Sequence, residues 1–185
     1  MMTEISLNIL DVAQNSVRAE ATLTEISVIA DTKADTLKVT IKDNGCGMSE
    51  EQLQSVTDPF FTTRTTRKIG LGIPFFKMSA ESTGGSFSIR SQQGVGTVTE
   101  AVYIISSIDR MPLGDITGTI HSLVTLNPDI DFLYTYSVDG RSFTMDTREF
   151  REILGDVSFA ETEISNYIND YLTENKDEVD CGVIL

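Results

Sequence analysis

Basic residues are scarce in this chain. Fourteen Lys and Arg stand against 28 Asp and Glu, for a formal net charge of −14. So acidic a surface repels nucleic acid and anionic membranes outside any local basic patch, and neither is expected as a partner. Cysteine is scarce too: Cys46 and Cys181 are the only two, which leaves no disulfide framework and no metal-ligand spacing. No stretch approaches the roughly 18–20 apolar residues of a membrane span. The opening "MMTEISLNIL" has no basic start and no long apolar run. A soluble cytoplasmic protein is the expectation. Repeats and low-complexity tracts are absent from the sequence.

What remains is globular material. The 185 residues, 40% hydrophobic and 23% charged, suffice for one domain with a small appendage. Charge is distributed unevenly. Residues 1–105 carry 9 basic and 12 acidic side chains, net −3, and residues 106–185 carry 5 and 16, net −11. A boundary is expected there: a first unit over 1–105 and an acidic helix-hairpin-helix-helix region over 106–185.

The periodicities order the first unit. Ile9, Val12, Ala13 and Ser16 share one helical face over residues 4–20, while Asn8, Asp11, Asn15 and Arg18 share another. "EISVIAD" and "TLKVTIKD" alternate as strands with one buried face. Ser49 and Gln52 form a capping box for a short helix. A polar loop, "FTTRTTRKIG", leads to a helix from Gly72 to Thr83, with Pro74 in its first turn and Gly84-Gly85 as its stop. "SFSIRSQ" and "TVTEAVYII" are two further strands. The order implies an α/β (α+β) two-layer sandwich with helices on one face of a mixed sheet. In the second region, Ile116, Ile120, Leu123 and Val124 stripe one helix, and Asp139-Gly140 turns a hairpin. Asp146 caps the next helix, with Glu149 three residues on, and Ile164, Tyr167, Ile168, Tyr171 and Leu172 stripe the last. Tyr134, Tyr136 and Phe143 read as core.

Several short motifs carry chemistry. "DNGCGM" puts Asp43 at the end of an apolar strand, where a carboxylate can accept from an exocyclic amine. Gly45 and Gly47 behind it allow close backbone approach. "IGLGI" puts Gly70, Leu71 and Gly72 at a helix start, where backbone N–H groups suit a phosphate. Arg64, Arg67 and Lys68 lie just before it, and "GVGT" opens the last strand at Thr97. Singly, each motif is equally well a tight turn.

In this order and spacing, the motifs resemble those of the ATP-binding domain of the GHKL superfamily, the Bergerat fold, on its histidine-kinase-like branch. "LDVAQNSVRA" matches the N-box, and "DNGCGM", "IGLGI" and "GVGT" match the three glycine boxes. "DPFF" at 58–61 resembles the box before the ATP lid of sensor kinases. The resemblance covers about residues 5–105. It implies ATP and Mg²⁺ as cofactors, with Asn15 on the metal and Asp43 on the adenine amine. It also implies that Gly45, Gly47, Gly70 and Gly72 shape the pocket and that Thr97 supports Asp43. Hydrolytic members carry a Glu four residues before the Mg²⁺-binding Asn, as general base. Asp11 holds that position here with a side chain one methylene shorter. It is the candidate catalytic residue, or else it orders Asn15 or meets the metal through water.

The sequence also departs from the family. The lid between Phe61 and Gly70 is short, Lys68 stands where many kinases have a glycine, and no phosphoacceptor helix pair precedes the N-box. The family's usual first strand is missing as well. Lys68 reads either as a phosphate contact or as a solvated loop lysine. His121, the one histidine, reads as a half-exposed surface residue rather than a phosphoacceptor, and Cys46 as a small pocket-wall residue. Two functions follow: an ATP-dependent kinase or ATPase serving a protein partner in signalling, or a nucleotide-sensing regulatory module without turnover.

Overall fold

The computed structural model describes residues 3–57, 71–155 and 157–185. Helix α1 (Ile5–Arg18) buries Ile5, Ile9, Val12, Ala13 and Ser16, the expected stripe extended by one turn. Its N-cap, Glu4, makes no side-chain cap. The Ile5 and Ser6 N–H groups donate instead to the Pro112 and Leu113 carbonyls, at 3.0 and 2.9 Å. Backbone far away in sequence thus satisfies two of the helix's four unpaired donors.

Strands β1 (Leu23–Asp31) and β2 (Thr36–Asp43) pair antiparallel as an alternating hairpin. Ser49 and Gln52 make the expected capping box at α2 (Glu50–Ser55). Helix α3 (Gly72–Glu81) is followed by the antiparallel pair β3 (Ser86–Gln92) and β4 (Gly96–Ile104). The chain then forms α4 (Ile116–Leu126), β5 (Asp131–Val138), β6 (Arg141–Asp146), α5 (Thr147–Leu154) and α6 (Thr162–Asp180). Asp139 and Gly140 turn the β5–β6 hairpin with φ of 50° and 82°, both positive as a tight hairpin turn requires.

The six strands form one sheet in the order β3-β4-β2-β1-β5-β6. β1 and β5 run parallel, and every other neighbouring pair is antiparallel. A parallel strand needs a crossover. Here β4 reaches β5 through α4, passing over β2 and β1 on the helical face. The sheet therefore runs through the charge break at residue 105, because β5 adds to the open edge of β1. The buried alternation Phe132, Tyr134, Tyr136, Val138 continues that of Ile26, Val28 and Ala30, so one core serves both regions. Helices α3, α1, α4 and α6 pack side by side over this face. The other face is polar, with ion pairs Lys42–Glu25 (2.6 Å) and Lys38–Glu100 (2.7 Å) lying across its strands.

Tyr134 and Tyr136 are core, and Phe143 packs against them. His121 Nε2 meets the carbonyl and hydroxyl of Ser165 at 3.0 and 2.8 Å, tying α4 to α6. Cys46 and Cys181 are unpaired and exposed. No helix among the described residues is long and apolar enough to cross a membrane.

Candidate functional site

The C-terminal half of α1, the ends of β2 and β4, α2 and the start of α3 enclose a cavity of about 290 Å³. Val12, Ile41, Met48, Ile73 and Ile89 give it apolar walls, and Asn15, Asp43 and Thr97 add polar groups. An apolar cleft with a few convergent polar groups suits a small aromatic ligand with a polar edge.

Asp43 ends β2, the last residue before the strand gives way to the glycine box. Both its oxygens are held from behind. Oδ1 accepts the Gly45 N–H at 2.9 Å, and Oδ2 accepts the Ser16 hydroxyl at 2.9 Å. Ser16 is 2% exposed, on the core stripe of α1. Two donors fix the plane of the carboxylate, and each oxygen keeps a lone pair for a ligand. Thr97 is the register partner of Asp43 on β4, and its hydroxyl meets Ser91 Oγ at 2.9 Å. Ser91 also accepts the Met48 N–H at 2.9 Å and donates to the Gly96 carbonyl at 3.0 Å.

The rest of the glycine box is locked by backbone. The Asn44 carboxamide oxygen accepts from the Thr22 and Leu23 N–H groups, both at 2.9 Å, and its NH₂ donates to the Thr22 hydroxyl at 2.8 Å. Cys46 donates its N–H to the Ala19 carbonyl at 2.9 Å and accepts the Gly94 N–H at 2.7 Å. It lines the cavity rim as a small wall residue. Gly45 packs on Ala19. Gly47 has φ +65°, and a Cβ there would sit 2.1 Å from the Gln92 carbonyl oxygen, so a side chain is barred by both conformation and space.

Asn15 is on the cavity wall, where its Oδ1 accepts from Arg18 Nη1 at 2.8 Å. Asp11, one turn earlier, is half-buried and is not among the lining residues. Its carboxylate lies against the first residue of α3: a Cβ on Gly72 would be 2.6 Å from Asp11 Oδ2. A side chain at Gly72 would have to displace the Asp11 carboxylate from this position. Gly72 and Ile73 line the cavity, whereas Leu71, the N-cap of α3, is 37% exposed and does not. Leu71 supplies no side-chain cap, and Pro74 has no N–H. The described first turn thus offers the backbone donors of Gly72 and Ile73. Lys68, Gly70, Arg64, Arg67 and the "DPFF" segment lie outside the described residues.

The structure thus brings Asn15, Asp43, Gly47, Gly72 and Thr97 around one cavity, with Gly45 behind Asp43 and Asp11 against Gly72. Sequence reading missed Ser16, Asn44 and Ser91. Ser16 had a signal, a polar residue on an apolar helical stripe, and so did Ser91, a hydroxyl in the inward alternation Phe87, Ile89, Ser91. Among the described residues, no group of three or more His, Cys, Asp or Glu could hold a metal by itself. Asn15 supplies one hard oxygen, which fits a Mg²⁺ held mainly by waters and a ligand's phosphates.

Comparisons with known proteins agree with this geometry. The chain is 34% identical over 101 residues to the sensor protein SrrB of Staphylococcus aureus, covering 52% of this chain and 17% of SrrB. It is 30% identical over 96 residues to the sensor histidine kinase ZraS of Escherichia coli, covering 52% of this chain and 20% of that one. The match therefore spans a fifth or less of these relatives' length. The MutL ATPase domain of Aquifex aeolicus, solved with ADP, shares the fold at a TM-score of 0.54 and 16% identity, covering 83% of this chain and 70% of that chain. The family model described as histidine kinase-, DNA gyrase B-, and HSP90-like ATPase matches residues 3–106, and the chain belongs to that family.

Proposed function

We propose that the cavity binds ATP with Mg²⁺, and that the protein transfers the γ-phosphoryl group to a partner protein or to water, in cytoplasmic signalling or regulation. One observation carries the nucleotide reading. The Asp43 carboxylate, oriented by Ser16 and Gly45, stands at the wall of an apolar cavity of about 290 Å³. An acceptor held in this way selects the amine edge of adenine over the carbonyl edge of guanine.

Asn15 would hold Mg²⁺, which would neutralise the charge of the phosphates. To do so, its Oδ1 must exchange the Arg18 guanidinium for the ion. The Gly72 and Ile73 N–H groups at the start of α3 would donate to phosphate oxygens, with Gly70 and Lys68 as the adjoining contacts by family resemblance. Asp11 would act as general base. Residues 106–185 would form the region that meets the partner or regulates the site.

The contact of Asp11 with Gly72 favours a second reading, in which Asp11 buttresses α3 and the protein is a nucleotide-sensing module without turnover. One experiment bears on both readings. The pure protein is incubated with γ-labelled ATP and Mg²⁺, and free phosphate is separated from labelled protein, alongside calorimetry with ATP and GTP. ATP should bind about 5–150-fold more tightly than GTP, since an acceptor facing a carbonyl costs about 1–3 kcal/mol. Equal affinities would refute the adenine reading, as would an Asp43→Asn variant that binds ATP normally. Label in neither product would leave the sensing module.

A further inference from the structure

The outer side of the last two helices carries an exposed apolar group among charged and polar side chains. Ile153 on α5 is 84% exposed, and Tyr167 on α6 is 58% exposed. Between them the Phe150 ring stands 6.3 Å from that of Tyr167 and 5.6 Å from that of Tyr171. Phe143, on the edge strand β6, continues the group at 6.3 Å from Tyr171. Ile153 is one turn along α5 from Phe150, on the same side of the helix. Aromatic surface thus runs unbroken from the sheet edge over α5 and α6. Scattered exposed apolar residues need no explanation, but a contiguous group of them does.

The rim of this surface is charged with one sign. Glu163, Asp170 and Glu174 fall three or four residues from Tyr167 or Tyr171 on α6, hence on the same side. Glu149 borders it on α5. Glu149 is close enough to Tyr171 that, after burial and the Tyr167 phenol, its carboxylate helps hold that phenol above its ordinary range. The three cations of these helices are already used. Arg148 pairs with Asp146, Arg151 with Asp131 and Lys176 with Asp180. The four rim carboxylates have no ion-pair partner among the described residues.

We propose that this face docks a basic amphipathic segment of a partner protein. Its apolar side would lie on Phe150, Ile153 and Tyr167, and its Lys or Arg side chains would meet the rim carboxylates and the faces of the rings. Charge complementarity selects this occupant. A second copy of the chain would bring the same acidic rim and a net charge of −14, and nucleic acid or an anionic membrane would be repelled. The proposal does not rest on the nucleotide reading: the face lies at the β6 edge of the sheet, and the cavity lies across β2 and β4.

The test uses the full chain and a synthetic amphipathic helical peptide of roughly 14 residues, four turns, with Leu on one side, Lys on the other and one Trp. The protein has no Trp, so peptide fluorescence reports binding directly. At about 0.15 M salt, where charges are screened beyond about 8 Å, the peptide should bind and shift the amide resonances of α5 and α6. A peptide with Glu in place of Lys should not bind. The double variant Ile153→Ser, Tyr167→Ser should weaken binding at least about tenfold, as loss of interface anchors does. Glu163→Gln with Glu174→Gln should flatten the salt dependence. Circular dichroism and thermal melting confirm that the variants fold. Unchanged affinity in the double variant, resonance shifts confined to other surfaces, or equal binding of the Glu peptide would each overturn the proposal. So would a concentration-dependent dimer in sedimentation that the double variant abolishes, since the face would then be covered by a second copy.

Discussion

Replacing Ser16 with alanine tests whether a hydroxyl on the core side of α1 sets the nucleotide preference of a carboxylate on β2. The hydroxyl is 2.9 Å from Asp43 Oδ2 and is buried. A hydrogen bond to a charged group is worth about 1.5–3 kcal/mol. Asp43 is half-exposed and keeps its Gly45 N–H bond, so water entering the cavity would replace part of the loss and the lower end applies. Alanine also gains up to about 0.5 kcal/mol of helix propensity over serine. The net expectation is about 1 kcal/mol of stability, a fall in Tm of about 2–4 °C for a chain of this size. The larger effect should fall on recognition. A carboxylate free to rotate loses its selectivity before its affinity, so ATP should weaken about 5–10-fold, which is about 1–1.4 kcal/mol, and the ATP-to-GTP ratio should shrink with it. Ser16→Thr is the control. It keeps the hydroxyl but adds a methyl to a packed position, at about 1–3 kcal/mol. Threonine should therefore cost stability while holding the ratio, whereas alanine should lower both. Calorimetry with both nucleotides and thermal melts on the same preparations give all four quantities, and a cycle with Asp43→Asn gives the coupling. If Ser16→Ala binds ATP within twofold of wild type with no coupling to Asp43, the hydroxyl supports only the fold.

Asn15→Ala should remove the Mg²⁺ dependence of ATP binding while leaving Tm within about 1 °C, because a half-buried side chain on a cavity wall leaves no core void; unchanged Mg²⁺ dependence would take it off the metal. Asp11→Asn should keep ATP affinity and cut turnover about 10²–10⁴-fold if Asp11 is a general base. If it buttresses α3, the same variant should lower Tm and weaken ATP together. On the acid side, hydrogen bonds from the Thr32 N–H and hydroxyl hold Asp139 below the usual carboxylate range, with Arg141 and Lys33 adding to the effect. A depressed folded pKa contributes stability that is present above the unfolded value of about 3.9 and is lost as pH falls through the folded value. Asp139→Ala should therefore lower Tm near neutral pH and flatten its decline in acid. An acid limb parallel to that of wild type would show that Asp139 takes no part in it.

What could be read from the sequence, and what could not, divides by the range of the interaction. The α1 stripe, the strand alternations, the Ser49 capping box and the Asp139-Gly140 turn are set within a few residues, and each formed where the pattern put it. The turns of "DNGCGM" and "GVGT" were legible for the same reason, since Gly47 and Gly96 take the positive φ that glycine permits. Charge gives no guide to the strand pairing across residue 105. It belongs to the solvent side of each element, whereas strand pairing follows the inner side, and there Phe132, Tyr134, Tyr136 and Val138 match β1 as well as β2 does. The N-terminal capping of α1 was invisible because its acceptors, Pro112 and Leu113, are main-chain carbonyls with no side-chain signature. The same limit governs Asp11. Sequence sets it one turn from Asn15 and so suggests a role beside the metal. Its contact with Gly72 depends on how α1 and α3 cross, and a residue 61 positions away leaves no trace in the local pattern. That contact also explains why glycine stands at the first position of α3, even though glycine weakens a helix by about 1 kcal/mol relative to alanine. A side chain there would displace the Asp11 carboxylate, the mobile end of its side chain. The glycine read as a phosphate-loop residue and the aspartate read as a base are therefore one packing unit, and a variant of either reports on both.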